Sequence, residues 1–133
     1  MLTLGLSNMR DAAAALIENG RVVAAAEEER FARVKHVSGL PVQAIRYCLR
    51  ERGVRLHDVD AVAVPWKYWV LGRRAGLAIR TMLQSPELFR VKGTRAFERL
   101  TQEWRQLLFL RRHLTHRIDG TVCPRPIFLD HHV

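Results

Sequence analysis

Apolar residues cluster in short runs bounded by turn residues at the start of the chain and recur at helical spacing further along. Leu2 to Leu6 reads as a strand, and Ser7 to Arg10 as a polar turn. Ala12–Ile17 and Val22–Ala26 flank Glu18-Asn19-Gly20-Arg21. Asn-Gly between two apolar runs predicts a hairpin, because both central turn positions favour positive φ. Alanine alone would favour a helix at Ala12–Ala15. The turn before it and Asn-Gly after it leave about six residues, too few for one. Three consecutive antiparallel strands, a meander, are therefore expected. Glu27 to Phe31 ends the third strand in charge, and 32–39 reads as a cation-rich loop. Pro41 opens a helix that Gly53 stops. Ala61–Val64 is a short buried strand closed by Pro65. Residues 69–83 read as helical, and Ser85-Pro86-Glu87 starts a further helix whose apolar face runs from Leu88 to Leu114, with Gly93 able to interrupt it. Ile127–Leu129 is a last strand. The order β-β-β-α-β-α-α-β predicts an α/β chain with a mixed sheet and helices packed on it.

The length of 133 residues allows one domain, spanning 1–133, with a sizeable core. A content of 48% hydrophobic and 26% charged residues is that of a globular protein rather than a disordered one. The net charge of +9 is uneven: residues 67–117 hold 12 basic and 3 acidic residues, while the remainder is balanced. An Arg-rich solvated face, an interface with another lobe or subunit, and a nucleic-acid surface all fit that excess. Trp66, Tyr68, Trp69 and Trp104 flank Pro65 or lie on the apolar face, where burial competes with base stacking, so nucleic acid ranks last. No apolar run approaches the roughly 20 residues of a membrane span, and no secretory leader is visible. Cys48 and Cys123 do not make a disulfide framework, which leaves a reducing cytoplasm as the expectation.

Candidate chemistry lies at three places. Asp11 follows the first turn, where a carboxylate could deprotonate an acceptor hydroxyl or simply stabilise the turn through its own backbone. Beside it, Arg10 cannot serve as a base but can grip a phosphate. Arg30, Arg33, Lys35 and His36 put four cationic or ionisable groups into seven residues. That density suits an anion, with pairing to Glu27, Glu28 and Glu29 as the alternative. Asp130-His131-His132 ends the chain, and adjacent histidines diverge too far to chelate one metal together.

Taken in order, these segments resemble the O-carbamoyltransferases that include nodulation-factor and antibiotic-tailoring enzymes. The resemblance rests on Leu4-Gly5-Leu6 with Arg10-Asp11-Ala12-Ala13-Ala14-Ala15-Leu16, on Ala26-Glu27-Glu28-Glu29-Arg30-Phe31-Ala32-Arg33-Val34-Lys35-His36, and on Phe128-Leu129-Asp130-His131-His132. It implies the amino-terminal part of the first lobe of an actin-like, sugar-kinase-like ATPase fold. The implied chemistry is transfer of a carbamoyl group from carbamoyl-adenylate, made from carbamoyl phosphate and ATP, to the hydroxyl of a small-molecule acceptor. It further implies Lys35 as a ligand of the adenylate with His36 and Arg10 beside it, Asp11 facing the acceptor, and His131 as one ligand of an iron ion. Glu28, Glu29 and Arg30 would position the loop. The family's second lobe and its carbamoyl-phosphate-activating domain have no counterpart in these residues, so the chain alone is expected to be inactive. A different sugar-kinase-like ATPase would share the fold with other chemistry.

Overall fold

The computed structural model describes residues 1–8, 11–65, 76, 79–80, 83–84 and 108–129. Strands β1 (Leu2–Ser7), β2 (Ala13–Glu18) and β3 (Arg21–Glu27) form the expected antiparallel meander. Asn19 and Gly20 both take positive φ, 48° and 81°, as a tight hairpin with right-handed strand twist requires. A one-turn helix, α1 (Glu29–Ala32), follows, then α2 (Val42–Arg52), β4 (Ala61–Val64), α3 (Leu110–Arg117) and β5 (Pro126–Phe128). The five strands lie in the order β3-β2-β1-β4-β5, with β4 parallel to both β1 and β5. The mixed sheet is thus the one anticipated, and it belongs to the α/β class.

One face of the sheet carries the core. Leu2, Leu4 and Leu6 of β1, Ala14 and Leu16 of β2, and Val62 and Val64 of β4 are buried, while the residues between them are only partly covered. This is the period-two alternation of a sheet packed on one side. Ala44, Ile45, Cys48 and Leu49 of α2 fill that face, joined by Leu110, Leu114 and Ile118 from the α3 region. At the sheet's outer margin, Leu16 opposes Ala24 and Ile17 opposes Val22, so Val23 bulges from β3. Arg52 at the end of α2 donates Nε and a terminal guanidinium nitrogen to the two carboxylate oxygens of Glu18, at 3.1 and 2.8 Å. That fork holds the Glu18 carboxyl below the usual range.

The structure departs from the sequence reading at three places, the first two with local causes. The charged run after β3 closes one helical turn, because the N–H groups of Phe31 and Ala32 both reach the Glu28 carbonyl. Arg33, left-handed at φ 53°, then ends it. A three-residue 3-10 turn at Leu56–Asp58 buries Leu56 and is too short to leave a periodic signal. Leu108, expected on the apolar face of the last helix, is 73% exposed, whereas Leu114 is buried as expected. The rest of the helices expected over 69–83 and from Ser85 onward lies largely outside the described residues.

Asp119 anchors the approach to β5. Its carboxylate accepts the Leu56 N–H at 2.9 Å and the Thr121 N–H and hydroxyl at 2.9 and 2.6 Å. Burial pushes this carboxyl up, but the donors from Leu56 and Thr121 outweigh it and leave it below its ordinary value. Cys48 and Cys123 are free and buried, and burial pushes the Cys123 thiol up to about 11.

Two outcomes follow. Leu4→Ala, at a site with no exposure, should cost about 2–5 kcal/mol in urea unfolding, against about 1 kcal/mol or less for Thr3→Ala on the other face. Because Asp119 is more acidic in the folded chain, its stabilisation is complete above the unfolded value of about 4 and fades as pH falls through the lower folded value. Asp119→Asn should therefore flatten the acid limb of urea midpoints measured at a series of pH values.

Candidate functional site

The loop between β3 and α2 is held by backbone and carboxylate contacts that close around Ala12. The Ala12 N–H donates to the Val37 carbonyl at 2.9 Å, and the Ala12 carbonyl accepts the Glu28 N–H at 2.8 Å. One residue of the first motif thus holds the second near its start, at Glu28, and just past its end, at Val37. Glu28 is 8% exposed, and its two side-chain oxygens accept the N–H groups of Gln43 and Ala44 at 3.1 and 2.9 Å. Those are orphan donors at the start of α2, where a carboxylate also meets the positive end of the helix dipole. Val42 N–H reaches Leu40, and Ile45 N–H reaches the Pro41 carbonyl, so the first turn of α2 is fully paired. The expectation that Glu28 supports the loop is met by this route.

On that frame, Asp11 and His36 meet. Asp11 Oδ1 lies 2.8 Å from His36 Nδ1, with His36 in a left-handed conformation at φ 57°. Both side chains are more than half exposed. The alternative pairing with the glutamates does not occur among the described residues for His36 or Lys35. Glu27 faces Arg30 at 3.7 Å, Glu28 caps α2, and Lys35 is exposed with no ion pair or hydrogen bond among the described residues. Arg10 and His131 lie outside the described residues, so of the five expected residues the structure brings Asp11 and His36 together and leaves Lys35 beside His36 only along the chain.

A hollow of about 830 Å³ opens on the sheet face opposite the core. Its floor is small: Gly5, Ala13, Ala15, Ala25 and Ala63. Ser7, Glu27, Arg30, Phe31 and Tyr47 form its walls, with the Phe31 and Tyr47 rings 5.8 Å apart. Leu129, two residues before His131, also lines it, so segments from all three motifs share one cavity. Asp11, Lys35 and His36 are not among the lining residues, but the Ser7 hydroxyl donates to the Asp11 carbonyl at 3.2 Å and ties the Asp11 turn to the rim. Tyr47 did not stand out as a site residue in the sequence, since its helical spacing reads only as core. Asn8, also unmarked there, buries its Oδ1 without a donor among the described residues.

The described donors do not fit the iron ion the resemblance implies. No group of three His, Cys, Asp or Glu side chains converges among the described residues. Asp11 and His36 face each other, which engages Nδ1 and leaves two ligands at most. No helix among the described residues is long and apolar enough to cross a membrane.

A family model described as carbamoyltransferase N-terminus matches residues 2–70. An uncharacterized protein, sll1178, of Synechocystis sp. is 38% identical over 104 residues, which cover 77% of this chain and 16% of that protein. Nodulation protein NolNO of Sinorhizobium fredii is 51% identical over 55 residues, covering 41% of this chain and 8% of its own length. The chain thus spans a small fraction of either relative. Among solved structures, YeaZ from Pseudomonas aeruginosa is similar at 25% identity and a TM-score of 0.35, over 59% of this chain and 39% of that one.

The Glu28 cap can be checked directly. Glu28→Gln keeps the shape but loses the charge and one acceptor, and should cost about 1–3 kcal/mol in urea unfolding. It should also speed amide exchange at Gln43 and Ala44 more than at Leu49.

Proposed function

We propose, from the premise that this chain belongs to the carbamoyltransferase family through that family's amino-terminal domain, that it is part of an enzyme moving a carbamoyl group from carbamoyl-adenylate to a hydroxyl acceptor. The supporting observation is the shared hollow: three motif-bearing segments line one cavity of about 830 Å³. In this reading the domain is the opening part of the first lobe of an actin-like ATPase fold. The remainder of a longer protein supplies carbamoyl phosphate activation, and the chain by itself does not turn over. With both cysteines free, the reading includes a reducing, cytoplasmic setting.

The chemistry is assigned as follows. The acceptor oxygen attacks the carbamoyl carbon and forms the new C–O bond. The bond from that carbon to the oxygen of the phosphate breaks, and AMP leaves with the electron pair. The hydroxyl proton passes to His36 Nε2, because Asp11 Oδ1 engages Nδ1 and holds the ring in the tautomer that leaves Nε2 bare. This moves His36 from anion ligand to proton acceptor, with Asp11 as its positioning partner. Lys35, unpaired among the described residues, balances the charge of the adenylate phosphate, and Arg10 is a second candidate for that anion. His131 is retained only as a candidate iron ligand, and no step runs through the metal.

AMP serves as the test ligand. Titrated into the isotope-labelled chain, it should shift the amides of Ser7, Asp11, Arg30 and Lys35. Lys35→Ala should weaken binding about tenfold, the loss of one charge-assisted contact. Shifts confined to other surfaces, or none, would defeat this reading.

A further inference from the structure

We propose that the groove between the start of α3 and strand β5 docks an acidic, amphipathic peptide segment of a partner protein. This surface is separate from the hollow and carries no part of the chemistry above.

The groove has a volume of about 360 Å³. Leu108, Phe109 and Pro126 supply an apolar floor, and Arg111, Arg112 and Arg125 line it as cations. Phe109 is 52% exposed and its neighbour Leu108 is 73% exposed. Apolar surface left open and rimmed by charge marks an interaction site rather than a solvated face. The arginines are set differently. Arg111 donates Nε and a terminal nitrogen to the Cys123 carbonyl, at 3.2 and 3.1 Å, which fixes its side chain. Arg112 and Arg125 have no ion pair or hydrogen bond among the described residues. Among the described residues no carboxylate lines the groove, and the one acid within 108–129, Asp119, is committed to Leu56 and Thr121.

Charge complementarity therefore calls for an anionic partner, and the floor decides its class. A phosphate backbone would neutralise the arginines but leave Leu108 and Phe109 without an apolar counterpart. A segment alternating Asp or Glu with Leu or Phe meets both demands. Its carboxylates take the planar guanidinium forks bidentately, and one or two apolar side chains fill the groove.

The test uses a fluorescent peptide of sequence Asp-Leu-Glu-Phe-Asp-Leu-Glu, followed by anisotropy against the intact chain. Saturable binding in the range of about 10 μM is expected, weakening with added salt. Arg112→Ser combined with Arg125→Ser should reduce affinity at least ~10-fold, and Phe109→Ser by a similar factor. Both variants should keep the AMP shifts at the hollow and the thermal midpoint, which separates this outcome from misfolding and from failure of the functional reading. The proposal is overturned if the peptide does not saturate, if its lysine-for-acid counterpart or a labelled oligothymidylate binds as well, or if the arginine variants bind unchanged.

Discussion

A single buried carboxylate organises the site. Glu28 leaves the end of the meander, and its two oxygens take the first free N–H groups of α2. Both partners need the contact. An ionised carboxylate with 8% exposure is costly without donors, and a helix start packed on a sheet is costly without acceptors. Their mutual satisfaction fixes where α2 begins, and α2 in turn supplies Ala44, Ile45, Cys48 and Leu49 to the core. The same residue's backbone N–H is held by Ala12, so the cap, the first turn of the meander and the cationic loop are one mechanical unit.

That unit separates what must be rigid from what must meet solvent. The residues that stabilise it, Ala12 and Glu28, are buried. The residues offered for chemistry, Asp11, Lys35 and His36, stand outside it. One backbone hydrogen bond, from the Ala12 N–H to the Val37 carbonyl, joins the residues that follow Asp11 and His36, which explains how two exposed side chains come within 2.8 Å of each other. The left-handed backbone at His36 belongs to the same closure. On the far side of the sheet, the alanines of β2, β3 and β4 with Gly5 of β1 keep the floor low enough for a cavity, where larger residues would fill it.

The meander, α2 and β4 were legible in the sequence because local signals agreed. Asn19-Gly20 demanded positive φ, Pro41 and Gly53 bounded a helix, and Pro65 ended a strand. The short elements were not legible. One turn at Glu29–Ala32 and three residues at Leu56–Asp58 carry less than one helical period each, so periodicity has nothing to measure. Leu108 fitted an apolar spacing and is nevertheless exposed, since spacing names a face without saying what packs on it. The site divides in the same way. Asp11, Lys35 and His36 were recognisable as chemistry, but the sequence left Lys35 and His36 open between the glutamates and a ligand, and Asp11 between an acceptor and its own turn.

By itself, the sequence determined the strand periods, the hairpin turn, the mixed sheet class and the motifs that led to the family, because each is written within a few consecutive residues. Tertiary structure alone decided that Glu28 serves α2 rather than a neighbouring cation, that His36 turns to Asp11, and that three motifs share one hollow. Those facts join residues up to more than a hundred positions apart, from Gly5 to Leu129, and such distances close only when burial of one sheet face brings the segments together.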